Sequence, residues 1–207
     1  MASLTVDAAM QLPGPDWLKQ RRGEAAEQLL SASLPSAEEE MWRYTPVADI
    51  DLERYGAATD VGPAPGGPVP QGAAVVEVID GHVVAVTVSP EAAAAGLEIG
   101  AAAQIDGAES DLADAPIEDT FDLLNQAYAV DPVIVRLPAG RTVEGPVYVR
   151  NHFVGSGIVV APHLVVQLGS DAELSVVESH QGGGQSLVVP RTDLAVADGA
   201  RLRHTMV

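Results

Sequence analysis

The sequence predicts a mixed fold, in which an N-terminal α-helical domain is followed by strand-rich coils stacked as a β-helix. Three observations point there. Apolar residues recur at helical spacing near the N-terminus, the helix signal disappears after Val133, and the strand-rich remainder repeats itself weakly. A shift of 28 positions lays Val166 on Leu194, Leu168 on Val196, Ala172 on Ala200 and Leu174 on Leu202, with SDAEL (170–174) over DGARL (198–202). A shift of 27 lays Leu137 on Leu164 and Val147 on Leu174. Short strands repeating at this length suit coils that cover one another. A β-sandwich is the competing all-β reading.

The elements follow in order. Pro15 and Asp16 suit a helix start, because the missing N–H is harmless and the carboxylate meets the positive end of the dipole. Leu18, Ala25 and Leu29 continue that helix to about Ser31, and Leu34-Pro35 ends it. Ser36 with Glu39 forms a capping box, predicting a second helix to about Arg43. Residues 49–55 read as a further helical turn or an extended arm. Residues 59–72 hold four Pro and four Gly and read as a poorly ordered linker. Val75–Ile79 and His82–Val88 flank Asp80-Gly81, the pair favoured in a two-residue type I′ turn. Pro90–Ala95 before Gly96 is a short helix, residues 101–118 an acidic loop, and Asp119 or Thr120 caps a helix carrying Phe121, Leu124 and Tyr128. The expected organisation is therefore a helical domain (1–58), a linker (59–72), a small α/β element (73–132) and the stacked strands (133–207).

Composition narrows the function. The 207 residues are 47% hydrophobic and 19% charged, a globular balance. Acids outnumber bases 29 to 11, for a net charge of −18, which argues against nucleic acid or an anionic membrane as partner. The charge is uneven: residues 55–135 hold thirteen acids and no Lys or Arg. The sequence has no cysteine, so disulfides, thiolate metal sites and cysteine nucleophiles are impossible within it. Its one lysine, Lys19, precedes Gln20, so no Walker A sequence can be written. Neither a signal peptide nor a membrane span is evident, and a soluble cytoplasmic protein is expected.

Candidate chemistry is sparse. His82, His152, His163, His180 and His204 form no locally spaced metal pair. Asp106, Glu109, Asp111 and Asp114, with the EDTFD run (118–122), lack the order of a calcium loop and read as solvated surface. Gly182-Gly183-Gly184 precedes a strand, so it reads as a flexible turn and not a dinucleotide fingerprint, and Ser156 lacks the context of a nucleophile. Trp42-Arg43-Tyr44-Thr45 concentrates a tryptophan, a guanidinium and a phenol in a chain only 4% aromatic. It is either a core anchor, with Trp42 largely buried and Arg43 and Tyr44 satisfied at its rim, or an interface hot spot. Asn125, four residues after Phe121 on the apolar helix face, is expected to bond backbone. No catalytic, cofactor or metal residue is assigned, and neither ATP nor a stable iron–sulfur cluster is expected to bind.

These residues also carry a resemblance. WLKQRRGEAAEQLL (17–30), LPSAEEEMWRYTPV (34–47) and FDLLNQAYAVDPVIVRLPAGRTVEGPVYV (121–149) resemble the SufB/SufD family of iron–sulfur cluster assembly scaffolds, on its SufD side. Its fairly specific parts are Glu40, Trp42, Arg43, Tyr44 and Thr45 after Leu34-Pro35, and Phe121, Leu124, Asn125 and Ala127 before the run at 134–147. The resemblance implies the first rungs of a right-handed parallel β-helix and a non-enzymatic scaffold. It also implies a SufB-like paralogue and a SufC-like ATPase as partners of the full-length protein. It covers about the first half of a family member, so no cluster or ATPase-docking residue carries over. The open alternating run Arg201–Val207 leads to an expectation that the chain alone self-associates through residues after about 160. The rival reading is a β-helix carbohydrate-active enzyme. The 28-residue shift opposes it, since it stacks Ser170 with Asp198 and Glu173 with Arg201, leaving no paired carboxylates.

Overall fold

The computed structural model describes residues 4–64, 66–113 and 116–207. Five α-helices are present among the described residues: α1 (Val6–Gln11), α2 (Asp16–Leu29), α3 (Pro90–Ala94), α4 (Ala108–Ala113) and α5 (Thr120–Tyr128). Twelve strands run β1 (Gly56–Ala57), β2 (Ala74–Ile79), β3 (His82–Val88), β4 (Glu98–Ala101), β5 (Val133–Leu137), β6 (Thr142–Phe153), β7 (Ile158–Val160), β8 (His163–Leu168), β9 (Glu173–Gly182), β10 (Leu187–Val188), β11 (Arg191–Val196) and β12 (Arg201–Met206). They form three sheets, ordered β1-β7-β10, β11-β8-β5-β4 and β12-β9-β6-β2-β3. The chain visits the sheets in successive passages: β5–β7, then β8–β10, then β11 and β12. Each passage pairs parallel with the one before.

This corrects the expected fold class. The molecule is mostly β-sheet, in three mixed or parallel sheets with five short helices. It is not an N-terminal helical domain followed by a parallel β-helix. The helices have no core of their own: Ala9, Leu12, Ala25 and Ala26 pack with Leu124 and Tyr128 of α5 and with Val159 of β7. The early residues also supply strands. β1 pairs with β7, and β2 pairs parallel with β6 while taking β3 antiparallel on its other edge. β4 lies antiparallel to β5. Backbone groups in these segments satisfy their hydrogen bonds in the sheets.

Local signals fare according to their range. Asp80 and Gly81 both take positive φ, 49° and 86°, as a type I′ turn requires, and Val78–Ile79 pairs back on His82–Val83. Asp119 caps α5 by accepting from the N–H groups of Phe121 and Asp122. Within the expected acidic loop, residues 108–113 form α4. The capping box at Ser36 is half made, with the Ser36 N–H donating to Glu39 Oε1 at 2.9 Å, yet only a 3₁₀ turn at Glu40–Trp42 follows. The box closes one turn, but the described side chains of 36–43 bury no stripe that would propagate an α-helix. The described part of 59–72 holds neither helix nor strand.

The repeat has two outcomes. Thr192 faces Leu164, Leu194 faces Val166 and Leu202 faces Leu174, so the 28-residue shift is the true register between the second and third passages. The 27-residue shift is not. Leu137 lies beside Leu168, 31 residues on, and Val147 beside Val176, 29 residues on. The two offsets differ because β6 carries an irregularity between Thr142 and Pro146, with Gly145 at φ 84°.

The main core lies between the two larger sheets, where Val76, Val135, Val149, Val166, Leu174 and Val176 meet. Ile134 and Val165 face outward and are covered by Leu18 of α2 and Leu112 of α4.

Candidate functional site

The structure brings two of the motif residues together and leaves others apart. The rings of Trp42 and Phe121 stack with centroids 5.0 Å apart and planes tilted by 40°. Trp42 is half-buried, short of the largely buried anchor expected, and the rim does not close around it. Arg43 and Thr45 are exposed, and Tyr44 is 92% exposed. Asn125 is buried, and its Nδ2 donates to the carbonyls of Pro162 (2.9 Å) and Val189 (2.7 Å). Those carbonyls precede β8 and β11, so one amide ties α5 to two successive passages. Its Oδ1 has no protein partner.

The acids expected to be solvated surface are partly engaged. Asp111 pairs with Arg136, which also meets Glu98 at 3.3 Å and donates to the Asp106 carbonyl. Asp122 pairs with Arg191 at 3.1 Å. Asp114 lies outside the described residues. Gly183 and Gly184 turn against the Phe153 carbonyl, and Gly184 approaches the Gly155 carbonyl so closely that no Cβ would fit.

Among the buried polar groups that escaped the sequence reading are Arg22 and Glu178. Arg22 is fully buried, and its guanidinium donates to the carbonyls of Leu12, Pro13, Ala129 and Val130. Burial lowers its pKa to about 10, while Asp131 opposes the shift. Its position on the Leu18–Ala25–Ala26 face of α2 was the available signal. Glu178 is also fully buried. His180 Nε2 lies 3.0 Å from its Oε1, and His204 Nε2 (3.1 Å) and Thr192 Oγ1 (2.9 Å) lie beside its Oε2. Burial alone would raise this carboxyl, but the donors from His180, Thr192 and His204 hold it below the usual range. The clue lay in strand parity, since 174, 176, 178 and 180 share an inward face and turn polar at Glu178.

A second cluster sits on the outer side of the same passages. His163 is buried and its Nε2 lies 2.7 Å from Asp193 Oδ2, while Arg191 Nε donates to that oxygen at 3.0 Å. Burial holds His163 below its ordinary value despite the pull of Asp193. Asp193 is lowered to about 2, as hydrogen bonds from His163 and Arg191 outweigh its own burial. The arrangement is therefore a neutral imidazole donating to an ionised carboxylate that Arg191 neutralises. Among the described residues, no three His, Cys, Asp or Glu side chains converge as metal ligands do.

The third passage is the last one described. β11 and β12 are both edge strands, so one side of each offers unpaired N–H and C=O groups. Their inward-facing residues are uncovered among the described residues: Leu194 is 47% exposed, Val196 45% and Met206 51%. This apolar face, bordered by Thr192 and His204, is the candidate site. Among the described residues, no helix is long and apolar enough to cross a membrane. No protein-family model matches the chain, and no curated protein matches it either.

Proposed function

We propose that this chain is a non-enzymatic scaffold, a SufD-like subunit of iron–sulfur cluster assembly that acts by holding other subunits. The observation that carries the reading is the third passage, with two open strand edges beside Leu194, Val196 and Met206. Unpaired edges and uncovered apolar side chains both favour addition of another chain's strands. The motif residues agree with this role, since Arg43, Tyr44 and Thr45 point to solvent, where they can meet a partner. A SufB-like paralogue is the partner expected for the full-length protein, and a second copy is the occupant of this face when the chain is alone. A SufC-like ATPase belongs to the same assembly but does not dock on these residues. The same reading places the chain in the cytoplasm.

Light scattering and paired pull-downs test it. The isolated chain should run as a dimer or larger species and should capture a SufB-like subunit. Leu194→Asp should abolish the self-association, because it puts a carboxylate in the centre of the apolar face. A SufC-like ATPase should not be retained. A strict monomer that captures no SufB-like subunit would overturn the proposal.

A further inference from the structure

The third passage is held down by more than its ladders. His163 of β8 meets Asp193 of β11 at 2.7 Å, and Glu178 of β9 meets His204 of β12 at 3.1 Å and Thr192 of β11 at 2.9 Å. Thus a carboxylate–imidazole contact spans each junction between the second and third passages. Charged groups face both contacts from the packed elements, among them Asp111 of α4, which lines a pocket with Asp193. Arg191 and Asp122 face Asp193, with Arg21 of α2 close to both His163 and Asp193. His180 faces Glu178, and Asp131 lines a cavity of about 10 Å³ together with His163, Glu178 and Asn151. Asn151 Nδ2 is buried there without a protein partner.

We infer that the His163–Asp193 contact forms a proton-operated latch, in which acidification loosens β11 and so opens or dismantles the docking face. Its physiological meaning rests on the scaffold reading, but its physics does not. His163 is buried as a neutral donor beside Arg191 and Arg21, so a proton added in place would put a third positive charge in that cluster. Detachment of β11 exposes the ring, which then takes a proton at about pH 6.5. As pH falls through that value the detached state binds a proton that the attached state refuses, and attachment weakens. Asp193 and Glu178 act in the same direction at lower pH. Their attached pKa values lie below the usual carboxylate range, so their contribution is complete above that range and lost as pH falls through it. The Glu77–His152 pair at 3.0 Å supplies an internal comparison, since it joins β2 to β6 beneath two further strands.

Hydrogen exchange on the full chain, corrected for intrinsic chemistry and run at a concentration where it is monomeric, tests the latch. Opening of 191–196 should rise towards about tenfold per pH unit below pH 6.5, the limit for one proton. Residues 133–153 should keep constant protection over the same range. His163→Gln keeps a donor towards Asp193 but cannot titrate, so it should flatten the dependence between pH 7.5 and 5.5. Protection of 191–196 that ignores pH in the wild type would overturn the latch, as would an unchanged slope in His163→Gln. If that variant does not fold, the His163 ring of the wild type is followed by NMR. Suppressed titration while 191–196 stays closed supports the latch, and ordinary titration with that strand still closed refutes it. Light scattering at pH 7.5 judges the scaffold reading separately.

Discussion

The second and third passages match apolar residues at several register positions, yet these live in different surroundings. Val166 is fully buried and its partner Leu194 is 47% exposed; Leu168 is 3% exposed and its partner Val196 45%. Glu178 is fully buried, while Met206 beside it is 51% exposed. The covered passage therefore carries a charge inside, and the uncovered one carries thioether and aliphatic groups outside. The contrast teaches that coverage decides burial here. Apolar pattern places a side chain on the inward face, but only a passage above removes it from water.

The sharpest way to break this comparison is to truncate equivalent leucines. Leu174→Ala should cost about 2–5 kcal/mol, because it leaves a cavity in the shared core, whereas Leu202→Ala should cost about 1 kcal/mol or less. Equal losses in urea unfolding would show that the third passage is as tightly packed as the second. Next in size is Asn125→Ala, which leaves the Pro162 and Val189 carbonyls unpaired and should cost about 2 kcal/mol. Its hydrogen-exchange signature should fall at the starts of β8 and β11 together, since one amide serves both.

The helical face offers two smaller tests. Trp42→Ala removes a half-buried ring from Phe121 and should cost about 1–2 kcal/mol by thermal unfolding, below the value for a fully buried tryptophan. Tyr44→Ala should change stability by no more than about 0.5 kcal/mol, because the ring is in solvent. A larger loss at Tyr44 than at Trp42 would reverse the ranking that their exposures imply.

Much of the local structure was legible. The hairpin at Asp80-Gly81, the cap at Asp119 and the 28-residue register of the last two passages all follow from short-range backbone preferences or from matched spacing. The 27-residue alignment failed because the first passage is longer than the apolar pattern shows: its offset to the second is 31 residues before the β6 bulge and 29 after it. The half-made capping box at Ser36 failed differently. Its hydrogen bond forms, but a cap without a buried stripe stops at one turn. Of the candidate site, the open alternating run at 201–207 was legible, and the buried carboxylates beneath it were not. Glu178 and His204 are 26 residues apart, and local spacing cannot show that adjacent strands place them together.

The sequence by itself determined the turns, the helix caps, the parity of the strands and the charge of the molecule, because each depends on a few neighbouring residues. Tertiary structure decided the rest. It gave α1 and α2 their partner in α5, drew β1 and β2 from the first part of the chain into the sheets, and set Glu178 and Asp193 against histidines from other passages. Burial and long-range pairing depend on what lies above and beside each strand, and residues far away in the chain supply it.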